Sequence, residues 1–484
     1  MSSPASDAPS LPRWARSVDL LCLLLIALAL VVAGWGGFRE RIAGIRVALT
    51  SPVRLLAAAA VLAILRHVLA PRPSILHDIP QRIKAAWNTP AGRAAGFAFV
   101  GTRPIILFVG YFAVITFGYI NDNRPPLRFT HNEFLNLQGK WDTAWYMSIV
   151  VDGYRYKTSD MTQQQNIVFF PALPIATRIA GRLFGGESPA FLWGGSLVVF
   201  AAFFWSLVYV YKLAREFLDE DSARWAIWVT ACYPFALFYS ALYTESFFLL
   251  GSAGAIYHFR RREWFKAFGW GVLVGLTRPN GCLLSIPLAI VALEPWIPQW
   301  AAGGSEHDPG ITVVEVFAYL AKSMLAAAGP GIGMLIYSAF LWHLTGDPLA
   351  WLEGHAAWGR QYSGLVPLAE KYYGYMAESG PYIFTVALPF ETLNALGAIF
   401  AIAAAFPVWR RYGLAYAVFI LINILPPLAA GGFLSTGRFS AVLFPAFIWF
   451  AAVVPRAHRP AWLGSFMAFQ SLNAALFYTW HEMF

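Results

Sequence analysis

Apolar stretches of about 20 residues with few or no charges recur along nearly the whole chain. A helix of that length crosses the hydrocarbon layer of a bilayer. The composition closes the alternative: 58% of the 484 residues are hydrophobic and 13% charged, where a soluble domain carries about 25% charged residues. A soluble core could not hide that much apolar surface. The sequence therefore predicts an all-α, polytopic transmembrane bundle. Thirteen spans are expected, at 18–37, 53–70, 100–120, 189–211, 225–241, 245–259, 265–277, 281–298, 315–342, 384–408, 412–430, 439–455 and 460–481. The seventh is short, and Gly275, Pro279 and Gly281 suggest a break there.

Arg13 and Arg16 precede the apolar run Leu20 to Trp35. That run is long for a signal-peptide core and no clear cleavage site follows it, so a retained signal-anchor helix is expected. Residues 1–96 form a two-helix membrane unit and a proline-rich linker, and 97–484 the membrane core. Cys22, Cys232 and Cys282 lie in or beside apolar segments with no CxxC pair, so they predict buried small side chains rather than disulfides.

The net charge is +9, but the basic residues fall in short clusters between apolar segments, as in cytoplasmic loops. No continuous basic face exists for nucleic acid, and no nucleic-acid partner is expected. With the N-terminus inside, the cytoplasmic loops carry Arg72, Arg82, Lys84 and Arg93, then Lys212, Arg215 and Arg224, then Arg260, Arg261, Arg262 and Lys266, then Arg410 and Arg411, then Arg456 and Arg459. Two loops depart from the bias: 299–314 lacks Lys and Arg, and 38–52 places Arg39, Arg41 and Arg46 outside. Two long segments, 121–188 and 343–383, then face outward. Within the first, apolar residues at 141, 145, 146, 149 and 150 form one helical stripe, which predicts a helix lying on the membrane surface. Pro171 and Pro174 argue against a plain crossing helix at 166–184.

Ionisable residues at membrane depth are costly and face a bundle interior or an aqueous cavity. Five stand out, all on the expected outward side: Asp142, Glu245, Arg278, His355 and Arg438. Asp142 suits either a helix N-cap or a general base. Glu245 suits a solvated turn, a dipole-favoured helix start or a site carboxylate. Arg278 and Arg438 suit interfacial snorkelling or a phosphate clamp, with Gly281 and Gly437 allowing close backbone approach. His355 suits interfacial packing or a hydrogen bond to substrate. HxxxH and HExxH spacings are absent, so no zinc-protease type of metal site is supported. No cofactor is expected, and metal dependence stays open.

Six motifs occur in one order over about 140–445. Trp141-Asp142-Thr143-Ala144-Trp145-Tyr146 with Gly153-Tyr154 resembles the WDxxWY…GY segment of the PIG-V-like mannosyltransferases. Phe169 to Pro174 resembles FFPxYP, with Leu173 at the aromatic position; Tyr239 to Ser246 resembles FSAxYSES. Thr277-Arg278-Pro279-Asn280-Gly281 resembles TRSNG, with Pro279 in place of the serine. Gly346 to Ala350 with Trp358-Gly359-Arg360 is similar to GDPLAF…W of bacterial members, and Gly437-Arg438-Phe439 with Phe444-Pro445 to RY…FP. The resemblance implies the GT-C architecture in a bacterial inner or plasma membrane. It implies inverting transfer of a hexose, mannose by the family, from a polyprenyl-phosphate sugar to an acceptor hydroxyl on a glycan or glycolipid. Asp142 is then the catalytic base, Arg438 and Arg278 face the donor phosphate, and Glu245, His355, Trp145 and Tyr146 contact substrate. The alternatives are a transporter or flippase for a lipid-linked substrate, and a non-catalytic subunit; no repeat of the kind transporters carry is present.

Overall fold

A computed structural model describes residues 12–35, 38–42, 45–49, 51–71, 85, 87–120, 127–157, 163–294 and 313–483. The loop 299–314 is outside the described residues apart from its last two, and the linker 71–96 is described only at 71, 85 and 87–96. The chain divides into two compact units, Met1–Arg93 and Ala94–Phe484.

In the first unit the helices Arg13–Trp35 and Pro52–Leu69 lie against each other. Ser51 caps the second, its Oγ accepting from the Arg54 N–H, and Pro52 begins it, where a missing N–H costs nothing. Asp19 and Arg66 meet in a buried ion pair, Nε to Oδ1 and Nη2 to Oδ2, both 2.9 Å. That two-point geometry is what lets a carboxylate and a guanidinium tolerate burial. Between the helices the chain departs from the all-helical expectation. Phe38–Ile42 and Ile45–Leu49 pair as an antiparallel hairpin, with Phe38 opposite Leu49.

The second unit is helical throughout its described residues. Across the chain, five described helices are long and apolar enough to cross a bilayer: Pro52–Leu69, Pro90–Phe117, Ser188–Ala214, Pro389–Tyr412 and Leu414–Gly431. A sixth arises if Val314–Ala327 and Gly329–Thr345, bent by 45° at their junction, make one span. The protein is thus a multi-pass membrane protein, and five or six of the thirteen expected spans meet length and composition among the described residues.

The shorter segments are helical over bounds that differ from the expected spans. The segment expected at 225–241 is a helix only over Glu220–Cys232. Tyr233 precedes Pro234 and takes an extended conformation (φ −50°, ψ 140°), as pre-proline residues do. A single 3-10 turn, Ala236–Tyr239, follows. The carbonyls freed at this break are taken by a buried cation: the Arg103 guanidinium donates to Ala231 O (2.6 Å), Ala236 O (2.7 Å) and Ser240 Oγ (3.0 Å). A helix end inside an apolar bundle needs such a partner. Trp264–Gly275 likewise stops after 12 residues, and Arg278, again before a proline, is extended ahead of the 3-10 turn Pro279–Leu284 and the helix Ser285–Leu293. The stretch expected not to cross, 166–184, is a 3-10 turn at Asn166–Val168 and a helix at Ala172–Leu183.

These breaks position the site. Each ends a helix and leaves a short connector carrying polar residues, Ser240 and Thr244 after the first and Thr277 and Arg278 after the second.

Candidate functional site

Asp142 stands at the N-cap position of the helix Thr143–Asp152, yet its carboxylate makes no capping hydrogen bond. It is turned instead to Arg438, whose Nη1 donates to Oδ2 at 3.0 Å. The backbone makes this possible at a cost. Trp141 has φ +52°, unusual for a bulky side chain, and its indole N–H donates to Phe477 O at 3.1 Å while its ring meets Trp480 at 4.9 Å. The Asp142 N–H donates to the Tyr243 hydroxyl at 3.0 Å. Ser435, with φ +62°, makes the same kind of turn just before the helix Thr436–Ala441 that carries Arg438. Left-handed non-glycine residues cost about 1–3 kcal/mol each and persist where surrounding structure imposes them. Gly437 shows the packing that does so: a Cβ there would lie 2.2 Å from the Phe235 ring. Gly281 is equally tight, 2.2 Å from Val274 O, so both glycines admit protein neighbours rather than open space.

Arg438 also reaches Glu245, Nε to Oε1 at 3.2 Å, and the same oxygen is 3.3 Å from Arg278 Nη2. Asp142, Arg438, Glu245 and Arg278 thus form one alternating chain of charge, drawn from four segments of the sequence. Its outer end is open and its inner end closed: the side chains of Asp142 and Arg438 are 20% and 15% exposed, those of Arg278 and Glu245 7% and 2%. Glu245 begins the helix Glu245–Arg260, where the dipole favours a carboxylate. Rings flank the cations: Arg438 lies 5.3 Å from the Tyr243 centroid, and Arg278 4.5 Å from Phe248. Four of the five ionisable residues singled out from sequence are therefore neighbours.

His355 is the fifth and is not part of this chain. Its Nδ1 donates to Trp351 O at 2.5 Å and its ring meets Trp351 edge-on. Burial pushes its pKa below the usual 6.5, with the Trp351 carbonyl opposing and Arg360 adding to the depression, so the imidazole is neutral at pH 7. Tyr146 is buried beside the charges, its phenol pushed up by burial and then by Glu245 and Asp142. In the helix of Asp142 the buried residues Thr143, Tyr146, Met147, Ile149 and Val150 share one face, which includes 146, 149 and 150 of the expected stripe but leaves Trp145 half-buried. Trp145 stacks on Phe169 (6.0 Å) and meets Trp358 edge-on (5.1 Å).

Three residues were not singled out from sequence. Tyr243 lies two residues before Glu245 and braces the Asp142 backbone. Lys140, two residues before Asp142, is buried against the Tyr119 hydroxyl (3.3 Å) and has no carboxylate at ion-pair distance among the described residues. Arg360, partly buried, donates to Leu434 O at 3.2 Å and lies 5.2 Å from the Phe439 centroid. The sequence signal for Arg360 was its place in Trp358-Gly359-Arg360; nothing local distinguished it from a snorkelling arginine. Gly431 and Leu434, which touch Arg360, also line a cavity of about 920 Å³ with Gln361, Ser363, Tyr372 and Asn394. Among the described residues no three His, Cys, Asp or Glu side chains converge as a metal set would.

No protein-family model matches the chain. No curated protein matches it. Among solved structures, the crystal structure of the Archaeoglobus fulgidus oligosaccharyltransferase, in complex with Zn and sulfate, is similar at 12% identity and a TM-score of 0.36, over 76% of this chain and 53% of that one. The chain spans about half the length of that protein, and at this TM-score the likeness carries no inference about what the chain does.

Proposed function

We propose that the protein is a GT-C-type membrane glycosyltransferase of a bacterial inner or plasma membrane. It moves a hexose, mannose by the motif resemblance, from a polyprenyl-phosphate sugar to an acceptor hydroxyl on a glycan or glycolipid. The observation that carries this reading is the convergence of Asp142, Arg438, Glu245 and Arg278. Four motif residues that resemble one family in order along the sequence also meet in space, in a protein whose charges are otherwise sparse.

Asp142 accepts the proton of the acceptor hydroxyl as its oxygen bonds to the anomeric carbon. The bond from that carbon to the phosphate oxygen breaks, and the lipid phosphate departs with the electron pair. A single displacement of this kind inverts the anomeric centre. An alkyl hydroxyl is a weak nucleophile until a base takes its proton, and such a base contributes about 10²–10⁴ in rate. A phosphate is a good leaving group, so no general acid is needed; it needs cations where charge develops. Arg278 holds Glu245, Glu245 holds Arg438, and Arg438 holds the Asp142 carboxylate free of the helix end that would otherwise bind it. Trp145 and Tyr146 line the sugar side. On the basic-loop count, this face of the bundle is the extracytoplasmic one.

The test is transfer of radiolabelled sugar from purified polyprenyl-phosphate mannose and its glucose counterpart to a lipid extract. Wild type is expected to transfer one of them, and Asp142→Asn to lose about 10²–10⁴ in turnover while keeping its fold. Full turnover by folded Asp142→Asn removes the base assignment. Absence of transfer by wild type with every lipid-linked sugar removes the enzyme reading.

A further inference from the structure

In an inverting displacement the base and the leaving phosphate stand on opposite faces of the anomeric carbon. The attacking and departing oxygens are in line, and the base lies a hydrogen bond behind the first. A cation on the departing phosphate must therefore be well separated from the base. Arg438 is not: its Nη1 is 3.0 Å from the Asp142 carboxylate, and its Nε faces Glu245. Arg278 is further in, behind Glu245, and almost wholly buried. Two carboxylates against two guanidiniums also leave this chain of charge with no net attraction for an anion.

Arg360 differs on each point. No carboxylate lies within 4.0 Å of it among the described residues. It stands outside ion-pair distance of Asp142 yet within electrostatic reach of it: burial pushes its pKa down to about 10, Arg438 adds to that, and Asp142 opposes it. A partly buried guanidinium whose hydrogen bonding is to one carbonyl is under-compensated, and an anion would offset that. Phe439 is shared by the guanidiniums, its centroid 5.2 Å from Arg360 and 5.5 Å from Arg438. The Trp145–Trp358 contact ties the helix of Asp142 to the segment of Arg360, and Trp358 Nε1 is buried without a hydrogen-bond partner among the described residues. Aromatic faces with a spare N–H donor, on the segments that carry the base and the cation, suit a sugar ring.

Resting on the transferase reading above, we infer that Arg360 holds the donor's phosphate, with the sugar between it and Asp142, and that Arg438 is a positioning residue for Asp142. One uncompensated cation matches the single negative charge of a phosphodiester.

The experiment pairs binding with turnover. Short-chain prenyl phosphate and, separately, inorganic phosphate are titrated into detergent-solubilised wild type, Arg360→Gln, Arg360→Lys and Arg438→Gln, read by tryptophan fluorescence. Arg360→Gln is expected to weaken prenyl phosphate at least tenfold, Arg360→Lys to restore part of that, and Arg438→Gln to leave it within about twofold. In transfer assays Arg360→Gln should raise the donor KM, and Arg438→Gln should lower kcat. Equal prenyl phosphate binding by wild type and Arg360→Gln overturns the inference, as does loss in Arg438→Gln alone. Inorganic phosphate binding as tightly as prenyl phosphate, with the same Arg360 dependence, overturns the lipid-linked ligand. Prenyl phosphate binding that depends on Arg360 without transfer from any donor retains the phosphate site and sinks the transferase.

Discussion

One helix, Glu245–Arg260, carries a charged cluster at each end, roughly 22 Å apart at 1.5 Å per residue. At its start, Glu245 joins Asp142, Arg438 and Arg278 in a largely buried chain of four. At its finish, Arg260 pairs with Glu216 at 2.7 Å, near a cationic cluster of Arg261, Arg262 and Lys266. Across the same unit Arg456 meets Asp221 at 3.3 Å, their side chains 71% and 62% exposed. Both kinds of cluster pair opposite charges at similar distances. The exposed pairs are screened by water and ions, so geometry there says little about energy or role. The inner members of the buried chain, Glu245 and Arg278, have no such screen, and each depends on the other to be tolerable. Charge pairing is common in this molecule; charge pairing that cannot be relieved by solvent is confined to a few places, and the site is one of them.

The sharpest way to break this contrast is to remove one member of the buried chain. Glu245→Gln leaves two guanidiniums facing one carboxylate and should cost about 3–5 kcal/mol, measured by chemical unfolding in detergent. Adding Arg278→Met should recover much of that loss, because the buried cation goes with its partner. Additive losses in the double variant would show that the two do not act as a pair.

Lys140 separates burial from pairing. Burial holds its ammonium down to about 8, from 10.5, with Glu133 only partly opposing. Between those values the unfolded chain binds the proton that the folded chain has released, so stability rises as pH climbs from 8 to 10.5. Lys140→Met should flatten that rise and stabilise the protein at pH 7 by about 2–3 kcal/mol. An unchanged pH profile would mean the ammonium is not desolvated. The smallest effect belongs to the exposed cluster: Arg456→Ala should change stability by less than about 0.5 kcal/mol, and less still at high salt. A loss of several kcal/mol there would erase the distinction between buried and exposed pairing.

How legible was this in the sequence? Helicity was, because apolar runs of fixed length admit few other structures in lipid. The break at Pro279 was partly legible, since proline acts on its immediate neighbour. The span at 225–241 still failed, because hydropathy sums composition and does not see that Arg103 rewards a helix for stopping at Cys232. The strand pairing of Phe38–Ile42 with Ile45–Leu49 was missed for a related reason: it is a relation between two segments, the first of which carries three charges in five residues.

The site divides the same way. Sequence by itself determined which residues had to be explained, because a charge in an apolar chain is expensive wherever it ends up. Asp142, Glu245, Arg278 and Arg438 followed from that cost, and so did His355. Only the tertiary structure decided that the first four share one chain of contacts while His355 turns to the Trp351 carbonyl. It also decided that Asp142 forgoes its helix cap for Arg438, and that Arg360 has no carboxylate at ion-pair distance among the described residues. The reason is physical: the cost of burying a charge is a property of the residue, but whether that cost is met by a carboxylate, a carbonyl or a ligand depends on which distant segments arrive beside it.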